Sequence, residues 1–269
     1  MLSTAKDWLH HLMDEARNAG LNHLDLLLNG AVLPHGLLAP LLEQVPAPEC
    51  AWLFEHTLEH ALAHQGPLLL RIALGNQAQC AEAAQLLNAV HTHFCVLALT
   101  SRWPFEALAA HLRGATQATW NKGASSGVLR YYDTRLFRHF CEQLDPQQLG
   151  QFHAPVSQWY WIDHDGKQAS LSGFDARIQD QSGLTGLSLS DDQVQHLQAV
   201  SAALLWLKSH ECTPHAHGFT SHEGLIRCLT GIHLEVSRQQ LPKHLHEDFI
   251  ASALSEHPPL SLSPGNVVL

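Results

Sequence analysis

The sequence contains no uninterrupted run of about 18 apolar residues, which is the length that a membrane-spanning helix needs. Basic residues are also scarce, since 15 lysines and arginines stand against 25 aspartates and glutamates and give a formal charge of −10. A nucleic-acid binder needs a basic surface to replace counterions, so this balance argues against that class. Residues 1–20 carry acidic side chains and lack the apolar core of a signal peptide. We therefore expect a cytoplasmic protein with no membrane or nucleic-acid partner.

Several chemical motifs are missing as well. The six cysteines form no C-x-x-C pair, and their spacing fits neither a zinc site nor a disulfide framework. Neither glycine-rich nucleotide motif, G-x-x-x-x-G-K-[ST] or G-x-G-x-x-G, occurs. Residues 123–127, GASSG, fit the G-x-S-x-G pattern of a hydrolase elbow centred on Ser125, but a helix must follow that turn. Residues 128–133 have strand character instead, so we expect no catalytic residue and no enzyme.

Apolar residues make up 45% of the chain, which is enough for a buried core. Helical and strand-like apolar patterns alternate along the first part of the chain and are purely helical near its end. The predicted fold class is therefore α+β or α/β, with an N-terminal mixed α/β lobe over 1–165 and a smaller all-helical lobe over 190–257. Residues 166–189 are rich in Gly, Ser, Asp and Gln and are predicted to be a linker. Residues 258–269 are predicted to be an irregular tail.

Histidine is unusually abundant, with 22 residues. His56, His60 and His64 recur every fourth residue on a predicted helix, a spacing at which histidines can share a metal ion. A second group lies in the polar loop 210–222 and comprises His210, Cys212, His215, His217 and His222. A metal-dependent enzyme or metal-binding protein that uses this loop is therefore the alternative function. A solvated, histidine-rich surface explains both groups too, and we favour that interpretation, with no metal and no cofactor.

The densest group of functional side chains follows a predicted hairpin with strands over 115–120 and 127–133. It comprises Arg130, Tyr131, Tyr132, Asp133 and Arg135. On a strand, Arg130 and Tyr132 would share one face and Tyr131 and Asp133 the other. Thr134 is predicted to cap the helix that follows. The group is either a structural polar network between hairpin and helix or a partner-binding surface, because Arg and Tyr are frequent interface anchors.

These residues lie within a longer stretch, 110–167, that resembles the type VI secretion effector chaperones, or adaptors, a family first catalogued as a domain of unknown function. The matching elements are His111-Leu112-Arg113, Arg130-Tyr131-Tyr132-Asp133-Thr134-Arg135, Leu144-Asp145-Pro146-Gln147 and the tryptophan-bearing strand that follows. Residues 24–31 and 51–72 fit the family too, and the resemblance covers most of 21–256. The family usually has aspartate at the position of Asn29 and proline at that of Thr134.

The resemblance implies a non-enzymatic adaptor chaperone. Such a protein binds a toxic effector in the producing cell and helps to load it onto the VgrG spike of the secretion machine. The candidates for holding the hairpin and helix together, or for contacting the partner, are Arg113, Arg130, Tyr132, Asp133 and Arg135. We also expect the boundary near 164–190 to form a groove between the two lobes, in which an amphipathic effector segment docks.

Overall fold

The computed structural model describes residues 5–34, 36–90, 94–177 and 183–256. The chain divides into two compact units between Ser190 and Asp191. The first unit mixes helices and strands and the second is helical, which confirms the predicted fold class. Among the described residues, no helix has the length and apolar character needed to cross a membrane. The predicted irregular tail, 258–269, lies outside the described residues.

A six-stranded antiparallel sheet in the order β2-β3-β1-β4-β7-β8 forms the framework of the first unit. Its strands are β1 (His23–Asn29), β2 (Glu49–Trp52), β3 (Pro67–Ala73), β4 (Val96–Thr100), β7 (Gln158–Ile162) and β8 (Gln168–Ser172). A second sheet in the order β6-β5-β9 contains β5 (Gln117–Trp120), β6 (Ser125–Val128) and β9 (Leu187–Ser188). The central strands β1, β3 and β4 are almost continuously apolar because both faces of the large sheet are buried.

Helices cover one face of the large sheet with aliphatic side chains. The first unit contains α1 (Ala5–Asn18), α2 (Ala39–Leu42), α3 (Gln77–Val90), α4 (Phe105–Ala115), α5 (Thr134–Gln143) and α6 (Pro146–His153). Leu24 and Leu26 of β1 pack in one buried cluster with Trp8 of α1 and Leu87 of α3. Helix α1 ends where Gly20 takes a left-handed φ of +74°, a backbone conformation that glycine adopts without strain.

Aromatic side chains line the opposite face of the sheet. Trp159 of β7 stacks on Phe152 of α6 at 5.5 Å between ring centroids and lies 5.1 Å from Phe137 of α5. The Phe152 ring in turn meets the ring of Tyr131 at 5.1 Å. Tyr131, the neighbour of Tyr132, therefore anchors the segment that carries the candidate site residues in the core.

Two parts of the predicted organisation differ in the structure. Residues 166–189, described above as a linker, contain strand β8, which pairs with β7, and strand β9, which runs parallel to β5. Their polar composition has a physical cause, because β8 is an edge strand whose alternate side chains are exposed. The helix predicted over 57–66 is a 3₁₀ helix over His60–Gln65.

Three helices make up the second unit: α7 (Asp191–His210), α8 (His222–Arg238) and α9 (His246–Glu256). Ser221 caps α8, since its side-chain oxygen accepts a hydrogen bond of 3.1 Å from the backbone N–H of Gly224. The apolar faces of the three helices meet in a core that includes Leu225, Leu229 and Leu254. The predicted all-helical character of the C-terminal region is confirmed.

Candidate functional site

The segment from Arg130 to Asp133 is a turn and not a strand, so the predicted strand over 127–133 is wrong. Strand β6 ends at Val128, and residues 129–133 lead directly into α5. Tyr131 and Tyr132 lie in this turn and are both buried, so the predicted alternation of the two tyrosines on opposite faces of a strand is wrong. Aromatic residues are common in strands, which is why the sequence suggests a strand here. In the structure, the two tyrosines instead fill the core at a chain reversal. We call Arg130–Asp133 the RYYD turn.

Asp133 organises the RYYD turn through its buried carboxylate, which is only 1% exposed. Oδ1 accepts hydrogen bonds from the backbone N–H of Arg135 at 3.1 Å and from its Nε at 2.8 Å. Oδ2 accepts from Nη2 of Arg135 at 2.7 Å and from Nη2 of Arg130 at 3.1 Å. Asp133 is therefore the N-cap of α5, whereas Thr134, the predicted cap, is the first residue of the helix.

The two tyrosines attach the RYYD turn to the rest of the first unit. The hydroxyl of Tyr131 donates a hydrogen bond of 2.9 Å to the carbonyl oxygen of Leu112 in α4. The Tyr132 ring packs edge-on against Phe54 with 6.2 Å between ring centroids. Burial raises the pKa of both phenols, so neither loses its proton at physiological pH. These side chains stabilise the turn.

Arg113, the fifth candidate, lies apart from this cluster on α4. Its carbonyl oxygen accepts hydrogen bonds from the backbone N–H of Thr116 at 3.0 Å and from the Thr116 hydroxyl at 2.7 Å. In the described part of the chain, its buried Nε atom has no hydrogen-bond partner. The structure thus brings together Arg130, Tyr132, Asp133 and Arg135, and it leaves Arg113 at the end of a neighbouring helix.

Two arginines reach the surface at the RYYD turn although the protein is acidic overall. The side chain of Arg130 is 51% exposed and that of Arg135 is 35% exposed, whereas the Asp133 side chain between them is 2% exposed. Two guanidinium groups thus share one carboxylate, and the hydrogen bonds from Arg135 to Asp133 raise the pKa of Arg135 further. The arrangement holds two arginines in place at the surface, where they can bind carboxylate or carbonyl groups of a partner.

The largest polar feature that sequence reasoning missed is a buried ion pair between β1 and β3. Arg71 donates to Asp25 from Nε at 2.7 Å and from Nη2 at 2.9 Å, and Nη2 also donates to the carbonyl oxygen of Trp103 at 3.1 Å. The guanidinium carbon of Arg71 lies 5.5 Å from the centre of the Phe105 ring. Burial raises the pKa of the Asp25 carboxyl, and the adjacent Arg71 opposes that shift. The sequence does carry a signal for this ion pair, because Asp25 and Arg71 are each the one formally charged residue of a largely apolar strand.

The metal-binding alternative finds no support in the geometry. Among the described residues, no three His, Cys, Asp or Glu side chains are grouped so that they could hold a metal ion. In the loop 210–222, His217 Nε2 lies 3.4 Å from Cys212 Sγ, but the His210 ring stacks on Trp206. His56 precedes the 3₁₀ helix and has a φ of +62°, so the predicted helical row of three histidines is wrong.

The hydrolase alternative fails on local structure. Ser125 is the first residue of strand β6 and follows a 3₁₀ turn over Asn121–Gly123. A nucleophile elbow needs a strand before the serine and a helix after it. The order here is a 3₁₀ turn and then a strand, so the GASSG stretch is part of a hairpin.

Residues 26–151 match the family model described as "Domain of unknown function (DUF4123)". No curated protein and no solved structure matches the chain.

The DUF4123 match begins inside β1 and ends inside α6. It contains the RYYD turn, Arg113 and Arg135, and thus all five candidate residues. Strands β7 and β8 and the whole helical unit lie beyond the matched segment. The matched segment therefore supplies the central strands and the candidate site, and the remainder adds one edge of the large sheet.

Proposed function

We propose that this protein is an adaptor chaperone that binds a type VI secretion effector in the producing cell and promotes its loading onto the VgrG spike. The observation that carries the proposal is the DUF4123 match over 26–151, which is consistent with an adaptor family associated with type VI secretion. The elements that resemble that family, His111-Leu112-Arg113 and the Arg130–Arg135 segment, lie inside the matched segment. The proposed role is non-enzymatic.

The RYYD turn supports a binding role in its own right. Its aromatic residues are buried and its carboxylate is fully engaged by two arginines, so the turn presents fixed guanidinium groups. Fixed arginines suit recognition, because little side-chain entropy is lost when a partner binds. Although the whole chain has a net charge of −10, the two exposed guanidinium groups favour an acidic or carbonyl-rich contact on the effector at this turn.

The test is a comparison of two exposed arginines. The tagged chain is expressed in its native host, and the proteins that co-purify are identified and quantified by mass spectrometry. Arg130→Ala removes a half-exposed arginine that pairs with Asp133. Arg17→Ala, the matched control, removes an arginine that is 50% exposed and pairs with Asp14 three residues away.

We expect wild type and Arg17→Ala to retain one toxin-like effector together with VgrG, and Arg130→Ala to retain several-fold less effector. If wild type purifies alone under gentle lysis, the adaptor proposal is wrong. If Arg130→Ala retains as much effector as wild type, the adaptor proposal stands and Arg130 lies outside the contact surface.

A further inference from the structure

Among the described strands, none pairs with the outer row of backbone hydrogen-bonding groups of β8, at the end of the large sheet. On either side of β8, the N–H of Gly173 donates to the Ser157 carbonyl and the N–H of Asp163 donates to the Lys167 carbonyl, both at 2.9 Å. Antiparallel pairing alternates, so Ala169 and Leu171 also bond to β7.

The intervening residues of β8, Gln168, Ser170 and Ser172, direct their N–H and C=O groups away from β7. The sheet order ends at β8, and no strand in the described ranges pairs with this side of it. Three donors and three acceptors therefore form an open edge, which we call the β8 edge.

The two ends of the large sheet differ in how they are protected. Strand β2, at the opposite end, is four residues long, begins with the exposed Glu49 and follows Pro46 and Pro48. Proline and charge are the usual means by which proteins prevent edge-to-edge pairing. Strand β8 reads Gln-Ala-Ser-Leu-Ser, so it has no proline and no charge within its five residues, although Lys167 directly precedes it. Its backbone is thus available to another strand.

A groove lies beside the β8 edge. It encloses a cavity of about 540 Å³ whose apolar lining includes Ala169 and Leu171 of β8, Trp161 of β7 and Leu149 of α6. Arg138, Glu142 and His153 line it as well, and the lining residue Phe174 is 59% exposed. Since Ala169 and Leu171 face the groove, a strand added to the β8 edge would direct every second side chain over it.

We propose that the β8 edge binds an extended segment of the effector as an added strand. The free backbone groups specify an extended peptide, and the apolar part of the groove, formed by Leu149, Trp161 and Leu171, favours apolar side chains at alternate positions of that peptide. The net charge of −10 disfavours an acidic segment at this edge, so the segment bound here is neutral or basic and is distinct from the acidic or carbonyl-rich contact proposed for the RYYD turn. This inference rests on the proposed adaptor function and deepens it by naming the surface and the form of the bound segment.

The β8 edge allows a substitution that spares the sheet itself. The N–H of Ser170 points away from β7, so Ser170→Pro removes one outward donor and leaves the β7–β8 ladder intact. The residue before it, Ala169, is already in a strand, a conformation that a following proline favours. Ser170→Thr is the matched control, because it keeps the N–H and suits a strand.

The experiment uses the effector identified by co-purification, purified and titrated by calorimetry into full-length wild type, Ser170→Thr and Ser170→Pro. We expect Ser170→Thr to bind within about twofold of wild type, and Ser170→Pro to bind at least about tenfold more weakly, since one main-chain hydrogen bond is lost and the strand path is blocked. Melting curves followed by circular dichroism establish that the variants fold. Hydrogen exchange of wild type gives a second readout, in which the amides of 168–172 slow when the effector binds.

Each outcome decides the proposal. Equal binding by Ser170→Pro, or unchanged exchange at 168–172, overturns the β8 edge as the effector site and leaves the adaptor function standing. If no effector can be found, the adaptor function and this inference both fail. If light scattering shows an effector-free dimer that Ser170→Pro converts to a monomer, the edge binds a second copy of this chain and the proposal is wrong.

Discussion

Asp25 and Arg71 face each other on β1 and β3 and form a two-point ion pair inside the first unit. The carboxylate is fully buried and the arginine is 9% exposed. Neither charge can be removed alone without leaving the other in the core, where an uncompensated charge is costly. The pair therefore fixes the register of two central strands, since a shift of one residue would separate its members.

Removal of one member of this pair should be strongly destabilising. We expect Asp25→Ala to lower the free energy of unfolding by about 3–5 kcal/mol, because Arg71 loses its partner in a buried site. The double variant Asp25→Leu with Arg71→Met should recover most of that loss. Urea unfolding followed by tryptophan fluorescence measures both. A single variant as stable as wild type would contradict the structural role of the pair.

Asp133 should affect stability through its capping bonds. Asp133→Ala removes the N-cap of α5 and the shared partner of two arginines, so we expect a loss of about 1–3 kcal/mol. Asp133→Asn keeps an acceptor for the helix N–H and should lose less. Thermal melting combined with effector capture separates folding from binding. If Asp133→Ala melts and captures like wild type, Asp133 has neither role.

Two helical glycines give opposite predictions. A Cβ at Gly114 in α4 would collide with the Leu184 carbonyl, whereas a Cβ at Gly150 in α6 would meet nothing within 4 Å. Gly114→Ala should therefore cost about 1–3 kcal/mol, because the backbone near Leu184 must shift. Gly150→Ala should gain about 0.5–1 kcal/mol from the better helix propensity of alanine. A rise in melting temperature for Gly114→Ala would show that this close approach is absent in solution.

Two buried histidines should make the protein sensitive to acid. Burial lowers the pKa of His111 and of His153 to about 4. His153 Nδ1 accepts a hydrogen bond of 2.7 Å from Trp159 Nε1, and His111 Nε2 donates to the Phe152 carbonyl at 3.3 Å. Both rings are therefore neutral in the folded protein. In the unfolded chain, the same two histidines bind protons near pH 6.5. The free energy of unfolding is therefore highest, with respect to these groups, above pH 6.5, and it decreases as the pH falls towards 4.

The expected change of stability with pH gives a quantitative test. At pH values between the folded and the unfolded pKa, each of the two histidines lowers the free energy of unfolding by about 1.4 kcal/mol for every pH unit of acidification. His153→Gln keeps an acceptor for Trp159 and does not titrate, so its urea midpoint should fall less between pH 7 and 5 than that of wild type. His10→Gln, at an exposed position of α1, should follow wild type. A wild-type midpoint that does not change over this range would be evidence against buried, neutral rings.

Local sequence signals predicted several helices. Contacts between residues that are distant in sequence determined the features that the sequence did not predict. The apolar spacing of α1 and the Asp145-Pro146 start of α6 were readable, because capping and periodicity act within a few residues. The RYYD turn was misread because burial of its tyrosines depends on Leu112 and Phe54, which are distant in sequence. The sequence does not reveal strand β8, because only two of its five residues, Ala169 and Leu171, are apolar. The groove expected between the two lobes stays a prediction.

The central claim, effector loading onto VgrG, is tested most directly by the amount of effector bound to VgrG in cells with and without this protein. VgrG is purified from wild-type cells, from a deletion strain and from the deletion strain complemented with the wild-type chain. The account predicts that the effector is abundant on VgrG in the first and third strains and absent or greatly reduced in the second. An unchanged amount of effector on VgrG in the deletion strain, with normal effector levels in the cell, would contradict it.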